Sequence, residues 1–352
     1  ERALTPKFLE FIAPLNVSLI AIDEAHCVSI WGNDFRPEYA QLPGLMQYFP
    51  NTPVLALTAT ADRATQEDIR QQLRLKDPRT YLSSFERPNI HLAVKAGIQR
   101  IEQIRDFIKQ RKDQPGIIYC LARKTTESIA ETLQKYGYKA AAYHAEIDNT
   151  TRKKVQEDFQ YDRLQIVCAT IAFGMGIDKP NIRWIIHYNL PKNIENYYQE
   201  IGRSGRDGQP ADALMFYSFR DIEVYKEFIE KSEANETFKR VQSEKLERIW
   251  EYSQATNCRT NVILNYFGEY RSAGCGHCDH CLHPLQGFDG TRLAQMALSA
   301  CKRSNQSVGI NLLVDVLRGS GRKEIYERGL QHIKTYGAGK DITWKDWMHY
   351  IT

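Results

Sequence analysis

Leu19-Ile20-Ala21-Ile22-Asp23-Glu24-Ala25-His26 is the stretch on which the reading of this chain turns. An apolar run that stops abruptly at two adjacent acids suits a buried parallel strand. The C-terminal ends of such strands are where α/β sheets place their chemistry. The run reaches back to Val17, so the expected strand is 17–22. The pattern is a Walker B arrangement. Its first carboxylate, Asp23, suits Mg²⁺, usually held through water, because a hard cation takes oxygen ligands. Its second, Glu24, suits orienting and polarising an attacking water. A strand that merely ends in a polar turn is the plain alternative for these few residues alone.

Working outward, Val54-Leu55-Ala56-Leu57 is a second apolar run and ends in Thr58-Ala59-Thr60. Residues 64–75 have a helical pattern. A break comes near Pro88, and a second α/β unit follows. It reads as a helix over 101–111, a strand over 116–120 and a helix over 125–136 closed by Gly137. Further strands are expected at 139–143, 165–169, 184–188 and 213–217. Alternation at this spacing implies a parallel sheet covered on both faces. Residues 221–254 are charged, helical and almost free of Gly and Pro. Residues 284–290 read as a linker, and short helices with Gly-rich turns follow.

The chain has 352 residues, a net charge of +4 and 42% hydrophobic residues, ordinary for a globular protein. Basic residues outnumber acidic ones between Lys302 and Lys345, so that tail either meets a polyanion or is a solvated face. No apolar run approaches the ~20 residues of a membrane span. The expectation is a soluble protein of a reducing compartment. Cys27, Cys120, Cys168 and Cys301 are scattered and suit small buried hydrophobes. Cys258, Cys275, Cys278 and Cys281 form Cys-x16-Cys-x2-Cys-x2-Cys. Four thiolates with no open position suit structural Zn²⁺, with a four-thiolate iron–sulfur cluster as the rival. His277, His280 and His283 are taken as bystanders.

Three further segments carry chemistry. Trp31-Gly32-Asn33-Asp34-Phe35-Arg36-Pro37-Glu38-Tyr39 is an aromatic and basic loop just beyond the acids. Its rings suit stacking on bases and its Arg suits phosphate. Thr170-Ile171-Ala172-Phe173-Gly174-Met175-Gly176-Ile177-Asp178 follows a strand, and its glycines allow close backbone approach. Gln199-Glu200-Ile201-Gly202-Arg203-Ser204-Gly205-Arg206 sets two arginines three apart. That spacing suits reaching a γ-phosphate across a cleft and stabilising charge that develops in phosphoryl transfer.

In order along the chain, these segments resemble helicase motifs II, III, V and VI of superfamily two. The aromatic loop, Ser84-Phe85-Glu86-Arg87-Pro88-Asn89 and the cysteine spacing narrow the resemblance to the RecQ family of DNA helicases, over nearly the whole length. The resemblance implies an α/β architecture. Two RecA-like parallel-sheet domains, the first incomplete, are followed by a helical zinc-binding domain and a partial winged helix. The expected bounds are 1–88, 89–219, 220–286 and 287–352.

The resemblance implies an ATP-dependent 3′→5′ DNA helicase of repair and recombination, using ATP, Mg²⁺ and Zn²⁺. Asp23 and Glu24 would handle Mg²⁺ and the hydrolytic water, and His26 would couple nucleotide state to the loop. Trp31, Phe35 and Arg36 would sense single-stranded DNA. Thr58 and Thr60 would join the ATP and DNA sites. Gly176 and Asp178 would sit by the interdomain cleft, and Gln199, Arg203 and Arg206 would face ATP, with Arg206 as the finger. Cys258, Cys275, Cys278 and Cys281 would hold zinc, the family spacing favouring it over iron–sulfur. The implied partners are single-stranded and forked duplex DNA and a single-strand-binding protein, in a cytoplasmic, nucleoid-associated setting.

Three positions depart from the family pattern: Ile30 for a polar residue, Asn33 for His and Glu146 for Gly. The first two bear on coupling of DNA binding to hydrolysis. No Gly-x-x-x-x-Gly-Lys-Thr or Gly-x-Gly-Lys-Ser loop occurs, and only 22 residues precede Asp23. The expectation is therefore a first motor domain cut at its N-terminus, and a chain that does not hydrolyse ATP alone. A decayed, non-catalytic DNA-binding module is the second reading, disfavoured by the intact acids and arginines. An RNA helicase of the Asp-Glu-Ala-His type is the third, disfavoured by the cysteines and the aromatic loop.

Overall fold

The computed structural model describes residues 2–32, 36–174, 177–284 and 287–351. Asn33, Phe35 and Gly176 therefore lie outside the described residues. The chain divides into two units, Glu1–Pro284 and Leu285–Thr352.

The first unit contains two parallel sheets. The smaller pairs β1 (Ile20–Ile22) with β2 (Val54–Ala56), Ile20 opposite Val54 and Ile22 opposite Ala56. The apolar run from Val17 enters the ladder only at Ile20. Ile22, Ala25, Val28, Ala61, Ile69 and Leu73 form the core beside this sheet. The helix Arg63–Gln72 supplies Ile69 from its buried face and is capped by Asp62, whose Oδ1 accepts the Thr65 N–H at 2.8 Å.

The larger sheet is entirely parallel. Its strands are β3 (Ile90–Ala96), β4 (Gly116–Tyr119), β5 (Ala140–Tyr143), β6 (Ile166–Ala169), β7 (Trp184–His187) and β8 (Ala211–Tyr217), in the spatial order β3-β8-β7-β4-β6-β5. Every residue of β4, β6 and β7 is buried. The period of two splits them between two cores. Ile118, Ile166, Cys168, Trp184 and Ile186 face one layer, while Ile117, Tyr119, Val167, Ala169 and Ile185 face the other. Gly116 opens β4 because a Cβ there would lie 2.1 Å from the Trp184 ring.

β3 was not among the expected strands. It pairs with β8 along its full length. Ile90 and Leu92 are buried while His91 and Ala93 are half-exposed, so β3 carries the alternation of an edge strand rather than an apolar run. The charged stretch after β8 is two helices, Phe219–Lys231 and Glu236–Gln254. Neither Gly nor Pro breaks them. Asn235 does, accepting the Phe238 N–H at 2.9 Å and starting a new helix. The following helix, Arg259–Tyr266, stops where Gly268 takes a left-handed conformation at φ 82°.

The second unit is helical among its described residues, with Thr291–Arg303, Ile310–Arg318, Lys323–Glu327 and Trp344–Ile351. Trp347 is fully buried against Ala300, Val314 and Leu317, and its Nε1–H donates to the Gly339 carbonyl at 2.9 Å. Trp344, the first residue of the same helix, is 41% exposed. Part of the basic excess is neutralised internally: Arg322 pairs with Asp315 and Glu324, and Lys323 with Glu327. No helix among the described residues is long and apolar enough to cross a membrane.

Candidate functional site

At the end of β1 the chain turns sharply. Glu24 adopts a left-handed conformation at φ 49°, ψ 44°, and a 3₁₀ turn over Ala25–Val28 follows. This costs a non-glycine residue about 1 kcal/mol, and such strain gathers at functional sites. Asp23 is exposed and Glu24 half-buried. Glu24 Oε1 accepts from Gln199 Nε2 at 3.2 Å. Its Oε2 lies 3.3 Å from His26 Nδ1, which is 2.9 Å from Thr58 Oγ1. The Thr58 hydroxyl in turn accepts the Thr60 N–H at 3.2 Å. A polar relay thus runs from Thr60 to Gln199, with His26 and Thr60 both buried. Burial raises the Glu24 carboxyl above its usual range, and the Asp23 charge adds to this. Arg203, Gln199 and Arg36 partly offset it.

A cleft of about 670 Å³ lies in front of Glu24 and is also lined by Thr58, Asp178, Gln199, Arg203 and Arg206. The helix Ile194–Ile201 carries Gln199, and both arginines follow it directly. Arg203 donates to the Gly174 carbonyl and Arg206 Nη1 to the Ile177 carbonyl at 3.2 Å. A side chain at Gly174 would come within 2.8 Å of the Arg203 guanidinium, so the glycine makes room for the arginine. Arg87 also lines the cleft, bonding the Gly202 and Ser204 carbonyls at 3.1 and 3.0 Å. Burial lowers its pKa, with the Tyr198 hydroxyl opposing this and the nearby Arg206 charge adding to it.

The aromatic loop borders the acids. Trp31 is half-buried, and its carbonyl accepts from Thr65 Oγ1 at 3.2 Å. Arg36 is tied to the turn by its N–H, 2.9 Å from the Cys27 carbonyl. Gly32 is required here, since a Cβ would fall 2.1 Å from the His26 carbonyl oxygen.

Away from the cleft, the sulfurs of Cys258, Cys275, Cys278 and Cys281 lie within 4.8 Å of one another. Cys275 to Cys281 measures 3.9 Å and Cys258 to Cys278 measures 4.0 Å. Tetrahedral Zn²⁺ with bonds of about 2.3 Å needs sulfurs about 3.8 Å apart, so the residues fit one zinc ion. Sulfurs this close leave no room for a multi-iron cluster. Amide N–H groups of Cys275 and Cys278 point at Cys258 and Cys275 sulfurs at 3.3 Å, and that of Arg259 at the Cys278 sulfur at 3.4 Å. Such donors offset thiolate charge. His277 and His280 bond backbone carbonyls instead, at 2.9 Å each.

Three family descriptions match in series: helicase conserved C-terminal domain over residues 99–208, RecQ zinc-binding over 219–282, and RQC domain over 284–352. The chain belongs to the RecQ helicase family. All of it aligns with the ATP-dependent DNA helicase RecQ of Haemophilus influenzae at 46% identity, covering 56% of that protein. The RecQ of Pasteurella multocida is 44% identical over the whole chain, which covers 55% of it. The Bacillus subtilis RecQ is 38% identical over 97% of this chain and 58% of that protein. The chain thus spans somewhat over half the length of these relatives. Among solved structures, a single-residue variant of Saccharomyces cerevisiae Dbp5 bound to RNA and ADP BeF3 matches 70% of this chain and 68% of its own, at a TM-score of 0.50 and 17% identity. That likeness concerns the fold alone, and it agrees with a RecA-like sheet.

With the RecQ frame in hand, the structure brings Glu24, Thr58, Asp178, Gln199, Arg203 and Arg206 to one cleft. Thr60 sits behind it and Trp31 and Arg36 beside it. Phe35 and Gly176 are outside the described residues. Arg87 was missed, although it lies in the quoted Ser84–Asn89 segment; an Arg before Pro gives no sign that it will turn back under the cleft. Of the departures, Glu146 pairs with Arg123, both more than half exposed. An exposed pair contributes little, so Glu146→Gly is expected to move stability by less than about 0.5 kcal/mol. Urea unfolding of parent and variant checks this.

Proposed function

We propose that these residues form one wall and the coupling elements of the ATP site of a RecQ-type DNA helicase. The reading assigns 3′→5′ translocation, work in DNA repair and recombination, and single-stranded and forked DNA as substrates. Domains would run 1–88, 89–219, 220–286 and 287–352. A single-strand-binding protein as partner and a nucleoid setting complete the reading. The observation that carries it is the Gln199–Glu24 bond, which joins residues 175 positions apart across the cleft that Arg203 and Arg206 line.

In this reading Asp23 would hold Mg²⁺, which supplies charge neutralisation when bound. The Glu24 carboxylate orients the attacking water and takes its proton. Gln199 holds that carboxylate, and His26 relays its state to Thr58. Arg206 and Arg203 meet negative charge developing opposite Glu24. The four cysteines, with zinc, rigidify the helices behind the second sheet.

The 352 residues contain no phosphate-cradling Gly-Lys-Ser or Gly-Lys-Thr loop. The chain by itself is therefore expected to bind forked DNA in preference to duplex RNA and to show no DNA-stimulated ATP hydrolysis. Competition binding and a phosphate-release assay on the purified chain check both. A robust stimulated rate would refute the division of labour, and a preference for RNA would refute the substrate.

A further inference from the structure

Lys245 is buried, with 7% exposure, on the helix Glu236–Gln254. Its Nζ ion-pairs with Glu195, which is 2% exposed, and donates to the Trp31 carbonyl at 2.5 Å. A buried charge pair is a poor means of stabilising a fold, because both ions give up their hydration. This ammonium does something an apolar pair could not. It grips the aromatic loop on one side and the helix Ile194–Ile201 on the other. Glu195 stands in the first turn of that helix, one turn before Gln199, whose side chain bonds Glu24, and the helix leads directly into Arg203 and Arg206. Nothing in the hydrolytic chemistry uses Lys245.

We infer that Lys245 is a positioning residue that transmits the state of the aromatic loop to the helix carrying Gln199 and leading to the cleft arginines. A shift of the Trp31 carbonyl moves the ammonium, and the ammonium is held to Glu195 by charge as well as by hydrogen bonding. Thr65 donates to the same carbonyl but belongs to the loop's own side of the cleft, so it anchors without transmitting. The inference rests on the proposed function for its sense of direction, from DNA to nucleotide site.

The test uses the 352-residue chain, with oligothymidine as probe. Hydrogen–deuterium exchange is followed in residues 29–32 and 194–201. In the parent, saturating oligothymidine changes exchange in both segments. Lys245→Met alone leaves Glu195 charged and buried and is expected to unfold early, so the informative variant is Lys245→Met with Glu195→Gln, neutral and nearly isosteric. It is expected to fold and bind oligothymidine, with a response at 29–32 and none at 194–201. Lys245→Arg keeps the charge and restores the response. In a protein that also carries a phosphate-binding loop, the ratio of DNA-stimulated to basal hydrolysis falls roughly 5- to 100-fold in the double variant. A folded double variant with an undiminished response at 194–201, or a parent with none, overturns the inference. A protein that also carries a phosphate-binding loop, has intact exchange responses and an unaltered Lys245–Glu195 pair, and still lacks stimulated hydrolysis counts against the proposed function instead.

Discussion

Glu24→Gln, in a protein that supplies the phosphate-binding loop, leaves ATP bound and unhydrolysed. Turnover falls by about 10²- to 10⁴-fold, the usual contribution of a positioned general base, while ATP affinity stays near that of the parent. Single-turnover hydrolysis beside equilibrium nucleotide binding checks this; near-normal turnover would sink the assignment. The fold does not suffer. Burial, with the Asp23 charge, raises the Glu24 carboxyl. A carboxyl raised on folding favours the protonated form. Its contribution is fully present below the unfolded value, is lost as pH rises through the folded one, and is a cost at neutral pH. Glutamine removes that cost, so the variant unfolds no earlier than the parent near pH 7. The same shift means that hydrolysis in the parent weakens as pH falls through the raised value, because the water then loses its base. Arg206→Ala acts on the same step from the other side of the cleft, with a loss of roughly 10³- to 10⁵-fold when an arginine finger is removed.

Cys278→Ser acts through stability instead. Cys278 is fully buried and belongs to the core that includes Phe85, Tyr197 and Phe267, with the other three cysteines packed against it. Losing one of four thiolates breaks a closed site whose metal contributes folding energy directly. Structural zinc is worth about 10–16 kcal/mol in small domains, so the variant is expected to lose more than about 4 kcal/mol. The damage should reach the larger sheet, because Asp279 beside the ligand accepts the β3 Val94 N–H at 3.0 Å. Thermal unfolding with colorimetric zinc release measures both effects, and a chelator applied to the parent should reproduce them. A variant folded without zinc would count against a structural role. The cleft is affected as well, since Glu269, beyond the helix Arg259–Tyr266, bonds the hydroxyl of Ser84 at 2.8 Å and the N–H of Phe85 at 3.0 Å.

The acids, the cleft arginines and the cysteines were legible because their chemistry depends on residue type at short spacing. Two carboxylates after an apolar run, two arginines three apart and three cysteines at intervals of three carry the same meaning in any fold that accepts them. The parallel sheet was legible because fully buried strands show as apolar runs. β3 escaped because an edge strand is only half-buried, and its alternation over Ile90, Leu92 and Val94 is weaker than a run. The helix break at Asn235 escaped because a side-chain cap, unlike Gly or Pro, looks like any polar residue.

By itself the sequence determined the α/β class, the four cysteines that cluster and the residue types that line the cleft. Only the tertiary structure decided how these are connected. Glu24 meets Gln199, Trp31 meets Lys245 and Arg87 meets Ser204 over separations of 175, 214 and 117 residues. Such pairs leave no local periodicity. Each is set by where the sheets and helices bring the backbone, and a buried lysine or arginine reads along the chain like one in water until its partner is in place.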